Sequence, residues 1–193
     1  MAKRVGILAL QGDFEAHGRM VEQAGAEPVY IRSAAGLNGI AGLIIPGGES
    51  TTMLKLIGEE KLTKPLADFG ASHPVFGTCA GAILAATDVS SPEQFSFGWM
   101  DIGVERNAYG RQIVSRVTTA EPEGDFAART EPGEIEAVFI RAPIIRRLGP
   151  SVKVLARYDG DPVLVEQGVH MAATFHPELT GDIRVHQLFL SKL

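Results

Sequence analysis

The chain of 193 residues contains a single cysteine. That count excludes an internal disulfide and any metal site built from cysteines, and a lone thiol fits a reducing compartment, so a cytoplasmic location is expected. The sequence has no basic run, and its formal net charge is −5, which argues against nucleic acid as a partner. No apolar stretch is long enough to cross a bilayer, so no membrane association is expected. Met1-Ala2-Lys3-Arg4 leads directly into a strand pattern with no small-residue cleavage site, so no signal peptide is expected either. Internal repeats, low-complexity tracts and linkers are also lacking, and the length then predicts one domain over residues 1–193. A hydrophobic content of 45% and a charged content of 21% are ordinary for a chain that buries a sizeable core.

What the sequence does have is an alternation of short apolar runs with amphipathic stretches. Val5 to Leu10, Glu27 to Arg32, Gly42 to Ile45 and Val75-Phe76 read as buried strands. Helices are predicted from Phe14 to Ala24 with Asp13 as N-cap, and up to Ile57 with Ser50 and Thr51 as caps. Two more are predicted from Leu62 to Gly70 and from Ala80 to Ala86. After Gly98 the pattern changes. Asp101 to Arg106 and Gln112 to Val117 read as a hairpin around the turn Asn107-Ala108-Tyr109-Gly110. Further strands are predicted at Ile135 to Arg141, Val152 to Tyr158, Val163 to Glu166 and Val169 to Phe175, and a last helix from Asp182 to Lys192. Ser90 to Phe97 and Glu121 to Gly133 are expected to be weakly ordered. The fold class is therefore α/β: an open, mostly parallel, flavodoxin-like sheet flanked by helices, with an antiparallel extension in the second half.

The cysteine sits in Gly77-Thr78-Cys79-Ala80-Gly81, where a strand runs into a helix. Glycines on both sides permit a sharp turn, the sulfur counterpart of the elbow that lifts a nucleophile clear of a sheet. A buried free cysteine is often only a small hydrophobe, but this setting favours a nucleophile whose thiolate gains from the helix N-terminus. Near the other end, His176-Pro177-Glu178 follows an apolar strand, at a strand end where sites in open sheets gather. Glu178 can orient the imidazole and stabilise its charged form, giving a Cys-His-Glu triad. Gly47-Gly48-Glu49 follows another strand; backbone N–H groups of Gly47 or Gly48, with that of Ala80, would form an oxyanion hole worth roughly 3 kcal/mol per donor. The other histidines are not competitive: His17 and His186 fall in helical stretches, His73 stands at the wrong end of its strand, and no pair has metal-ligand spacing. Neither a metal nor a cofactor is expected. Among the arginines, one near the pocket could hold a substrate carboxylate, and periodicity does not choose it.

These motifs resemble the class I (triad) glutamine amidotransferases. More closely, nearly the whole chain is similar to the glutaminase subunits of pyridoxal 5'-phosphate synthase. The resemblance runs through Val5 to Gly12, Ile45-Pro46-Gly47-Gly48-Glu49-Ser50-Thr51-Thr52, Gly77 to Gly81, Arg106 to Gln112, Phe139-Ile140-Arg141-Ala142-Pro143 and Phe175 to Thr180. It implies Cys79 as nucleophile with His176 and Glu178, a glutamine pocket lined by Gly47, Gly48 and Glu49, and recognition completed by Arg106, Ile140 and Arg141. It also implies that the Gln11-Gly12 turn lies near the site and the partner. The partner implied is the (β/α)8-barrel synthase subunit, in a large hetero-oligomer that takes up ammonia released from L-glutamine. One departure is visible: many relatives carry Glu before the histidine of the first helix, where Ala16 precedes His17 here. Three other readings compete. One is a glutaminase serving imidazole glycerol phosphate synthesis; another is a non-catalytic flavodoxin-like regulatory subunit; the third is a cysteine peptidase or chaperone-like relative.

Overall fold

The computed structural model describes residues 2–107 and 115–193. In chain order the elements are β1 (Arg4–Leu8), α1 (Phe14–Gln23), β2 (Glu27–Ile31), β3 (Gly42–Ile45), α2 (Ser50–Glu59), α3 (Thr63–Gly70), β4 (Val75–Thr78), α4 (Ala80–Ala85), β5 (Ala86–Ser90) and β6 (Met100–Glu105). They continue with β7 (Ser115–Pro122), α5 (Gly124–Ala127), β8 (Ile135–Ile140), β9 (Ile144–Leu148), β10 (Lys153–Tyr158), β11 (Asp161–Gln167), β12 (His170–Ala173) and α6 (Arg184–Leu190).

The apolar runs become strands covered on both sides. β3 and β4 are buried at every residue, and β1 exposes only Arg4. Side chains alternate between the faces of a strand, and the two faces carry different helices. Val5, Ile7, Ile44 and Phe76 pack with Val21 of α1 and Val185, Leu188 and Phe189 of α6. Leu8, Leu43, Ile45 and Val75 pack with Met53 and Ile57 of α2 and Leu66 and Phe69 of α3. Each large side chain so buried contributes roughly 1.5–3 kcal/mol.

The large sheet runs β2-β1-β3-β4-β12-β11-β10-β7-β8. Its first five strands are parallel, and the remaining pairings are antiparallel. A parallel core in this order changes winding direction between β1 and β3, which opens a crevice at the carboxyl ends of the strands. The turns after β1, β3, β4 and β12 all emerge there. No helix among the described residues is long and apolar enough to cross a membrane.

Several local expectations change. β6 and β7 do not form a hairpin with each other: β6 lies between β5 and β9 in a separate three-stranded sheet, while β7 pairs with β8 and β10. The turn from Ala108 to Gly110, with Arg111 and the start of the predicted second strand, lies outside the described residues. Strands β5 and β9 are additional to those predicted. Within Glu121 to Gly133 the chain is held rather than loose: Phe126 of α5 is fully buried, and Arg129 Nη2 reaches Glu166 Oε1 at 2.8 Å. The cap of α2 is Glu49, not Ser50 or Thr51: its carboxylate accepts from the N–H groups of Thr51 (3.0 Å) and Thr52 (2.7 Å). Asp13 stands at the N-cap position of α1 but makes no side-chain cap bond.

Candidate active site

Cys79 joins β4 to α4 with φ 48 and ψ −104, a conformation that costs a non-glycine residue about 1–3 kcal/mol and persists only where surroundings impose it. They do so here. The Cys79 N–H donates to Ala173 O at 2.8 Å, and its carbonyl accepts from Ala82 and Ile83 at 3.1 and 3.2 Å. Gly81 lets α4 close onto β3, because a Cβ there would collide with the Ile45 carbonyl. Ala80 is the first residue of α4, and the N–H groups of a first helical turn have no partner within the helix.

The turn after β12 delivers the imidazole. The His176 N–H donates to Val138 O at 2.8 Å, and Pro177–Leu179 forms one tight 3-10 turn. That turn folds Glu178 back so that its Oε1 stands 2.7 Å from His176 Nδ1. Both residues are buried. With Nδ1 engaged by Glu178, Nε2 is the nitrogen left for the thiol. Burial pushes the imidazole's pKa down, but the hydrogen bonds and negative charges of Cys79 and Glu178 outweigh it and lift the value from 6.5 to about 10. Burial pushes the Glu178 carboxyl up from 4.5, against the opposing bond and charge of His176. The arrangement can therefore hold an imidazolium beside a thiolate and move a proton between sulfur and a leaving group.

The turn after β3 closes the third side. A side chain on Gly47 would overlap the His176 ring and stand 3.2 Å from Cys79 Cβ, so glycine is required by close approach. Gln11, after β1, crosses this loop, with Oε1 and Nε2 each 3.4 Å from the backbone of Glu49. The Glu49 carboxyl is held at a pKa of about 2: burial would raise it, but the hydrogen bonds from Thr51 and Thr52 prevail. Arg106 Nη2 lies 2.9 Å from Thr51 Oγ1 and 3.7 Å from Glu49 Oε1.

A cavity of about 220 Å³ opens over the thiol. Its walls include Cys79 and His176, Gly48 and Glu49, Arg106, and Ile140 with Arg141. Gly47 and Ala80 are not on the lining; Gly47 packs against His176, and Ala80 follows Cys79 as the first residue of α4. Ile140 O is 4.0 Å from Cys79 Sγ, and Arg141 has φ 45. Asp13 also lines the cavity, with Oδ2 3.9 Å from His176 Nδ1. Asp13, His176 and Glu178 bring donor atoms within 4.8 Å of one another. The imidazole nitrogen among them is already bonded to Glu178, and we read the group as an acid–base pair with a neighbouring carboxylate.

Sequence reasoning did not single out Asp13 as a cavity residue, nor His17 and His186, which lie fully buried behind Glu178. The first is detectable only as an acidic residue in the turn after a parallel strand. The other two give no local signal, since their contacts join helices from opposite ends of the chain.

Comparison with known proteins gives a consistent result. A family model described as the SNO glutamine amidotransferase family matches residues 7–193. The chain is 64% identical over 191 residues to "Pyridoxal 5'-phosphate synthase subunit PdxT" of Solibacter usitatus, covering 99% of this chain and 100% of that protein. It is 54% identical over 187 residues to the protein of the same name from Koribacter versatilis, covering 97% and 94%. A crystal structure described as a glutamine amidotransferase superposes with a TM-score of 0.87 at 46% identity, covering 97% of each chain.

Proposed function

The chain belongs to the SNO glutamine amidotransferase family, and from that premise we propose that residues 1–193 form one glutaminase domain that hydrolyses L-glutamine with Cys79, His176 and Glu178. Its ammonia goes to the synthase subunit of a pyridoxal 5'-phosphate synthase, the complex named by its relatives. The observation that carries this reading is the buried 2.7 Å bond between His176 and Glu178 beside a strained Cys79 at one cavity wall.

The cavity suits a zwitterionic amino acid. Asp13 and Glu49 offer negative charge to an ammonium, and Arg106 and Arg141 offer positive charge to a carboxylate. The Cys79 thiolate attacks the carbon of the side-chain amide. Negative charge develops on the amide oxygen, where the N–H of Ala80 and those of the Gly47-Gly48 loop receive it. His176 gives its proton to the departing nitrogen, and ammonia leaves a γ-glutamyl thioester on sulfur. Water, deprotonated by His176, then releases glutamate and restores the thiolate. Glu178 holds the imidazole in orientation throughout. Free ammonia is mostly protonated at neutral pH, which favours direct transfer to a partner, here a (β/α)8 barrel in a large hetero-oligomer. A lone cysteine, unable to form an internal disulfide, is compatible with the reducing cytoplasm proposed for this chain.

The test is glutamate release from glutamine by the full chain, with and without the synthase subunit. Release that requires Cys79 and rises with the partner supports the reading. Absence of release under both conditions, or release unaffected by Cys79→Ala, overturns it.

A further inference from the structure

Two buried histidines behind the proposed triad take no part in the reaction as described. His17 of α1 and His186 of α6 are fully buried, packed edge-on against Phe76 of β4. His17 Nδ1 is 2.9 Å from His186 Nε2, and His17 Nε2 is 3.1 Å from Thr78 Oγ1. The same Nε2 is 3.3 Å from Glu178 Oε2, the carboxylate oxygen turned away from His176. Glu178 Oε2 and His186 Nδ1 are both buried with no hydrogen-bond partner among the described residues, so the approach of His17 to Oε2 is a close contact and not a formed hydrogen bond. Building on the glutaminase reading, we propose that His17 is a positioning residue: its Nε2–H, presented in the tautomer that His186 imposes, holds the outer oxygen of Glu178 and so fixes the Glu178–His176 pair.

The proton placement follows from what each alternative leaves buried. Burial, reinforced by His186 and His176, pushes the His17 pKa well below 6.5. Burial likewise takes His186 to about 3, against the opposing pull of Asp182. Both rings are neutral, with one N–H and one bare nitrogen each. If His17 donated from Nδ1, its bare Nε2 would face a carboxylate oxygen, and the N–H on His186 Nδ1 would have no acceptor. If instead His186 donates from Nε2, His17 carries its proton on Nε2, toward Glu178 Oε2 and Thr78. Of the two rings' nitrogens only His186 Nδ1, a neutral lone pair, then goes unmatched, and Glu178 Oε2 has an N–H within 3.3 Å. A buried carboxylate oxygen left bare costs more than such a lone pair, so the second arrangement prevails. In this structure His17 Nε2 is hydrogen-bonded to Thr78 Oγ1 and only approaches Glu178 Oε2, at 3.3 Å; catalytic hydrogen bonds that are long or misaligned without substrate commonly tighten when it is bound. The ionisable groups facing Glu178 are His176 on its own turn and Asp13 and His17 from the α1 segment.

Two measurements test this on the full-length chain, the second with its synthase partner present. Nitrogen-15 imidazole NMR of the unaltered protein should show His17 neutral with its proton on Nε2. A proton on Nδ1, or a charged ring, overturns the proposal whether or not any variant folds. Second, His17→Gln keeps an N–H donor at the Nε2 position, and His17→Leu has none. The leucine variant should lose roughly tenfold to a hundredfold in kcat, with KM within about twofold. The acid limb of its pH profile should move up, because a carboxylate that loses a donor protonates more readily. The glutamine variant should restore most of kcat and the original limb. Equal losses in both variants, or an unshifted limb in the leucine variant, overturn the proposal. Absence of glutamine turnover by the unaltered complex refutes the glutaminase reading instead, and the tautomer measurement still stands alone.

Discussion

The backbone of Gly47 packs directly against the imidazole of His176: a methyl group placed on it would overlap the ring and stand 3.2 Å from Cys79 Cβ. Two turns far apart in sequence thus meet with no room for a side chain between them. Gly47→Ala is expected to push the imidazole off the thiol while leaving the sheet intact. Displacement of about 1 Å costs on the order of a hundredfold in rate. Steady-state glutaminase assays and circular dichroism check this, and near-normal kcat in the alanine variant would show that the loop is slack.

His176 takes its raised pKa from Cys79 as well as from Glu178. Cys79→Ala removes the hydrogen bond and charge of the thiolate, so the His176 pKa should fall from about 10 back toward 6.5, alongside complete loss of glutamate release. The stability consequence has a definite sign. A histidine with a folded-state pKa above its unfolded value stabilises the fold fully below pH 6.5 and loses that contribution as pH rises toward about 10. The unaltered protein should therefore lose more stability between neutral and alkaline pH than Cys79→Ala does. Imidazole NMR titration and urea melts at several pH values measure both effects. Equal alkaline losses would contradict the thiolate–imidazolium pair.

The parallel core and the triad candidates were legible because each is written locally. Uninterrupted apolar runs such as Gly42 to Ile45 have one plausible fate, and the glycine-flanked Cys79 and His176-Pro177-Glu178 each lie within a few residues. The small sheet was not legible. β9, Ile-Ile-Arg-Arg-Leu, offers only two buried residues in sequence, and β5 is mostly polar. The chain after β6 reads as a hairpin because a turn-rich tetrad follows it, but the partners of β6 are β5 and β9. The support behind Glu178 was invisible for a different reason: His17 and His186 meet only after the sheet has wound, and nothing near either one marks it.

Glu49 competes with Ser50 and Thr51 for the start of α2 and prevails because its longer carboxylate bridges two N–H groups at once. It also sits beside Arg106 at the cavity wall. Glu49→Ala should cost about 1 kcal/mol of stability through the lost cap and raise KM for glutamine as Arg106 loses its neighbour. The cap's contribution is present above pH 4.5 and disappears as the pH falls through about 2, so the two proteins should converge in stability in strong acid. A variant with unchanged midpoint at neutral pH would mean that Thr51 or Ser50 takes over the cap.

Phe126 tests whether the segment between β7 and β8 belongs to the core. Composition alone marks Glu121 to Gly133 as loose: it is acidic, contains proline and glycine, and has few apolar side chains. Yet Phe126 is fully buried in the cluster that includes Leu155, Phe175 and Val185, and Arg184 lies over its ring at 5.8 Å. α5 is a single turn, too short to persist by propensity, so the aromatic side chain must anchor the helix rather than the reverse. Phe126→Ala would remove that anchor and leave a cavity that the sheet beneath cannot collapse to fill. The expected loss is about 3–5 kcal/mol, a large share of the ~5–15 kcal/mol that holds a domain folded. It should appear in urea unfolding as a lower midpoint with an unchanged slope, since the surface exposed on unfolding is nearly the same. A loss below about 1 kcal/mol is the size of an exposed-site change, and it would mean that the segment rests on the sheet without supporting it.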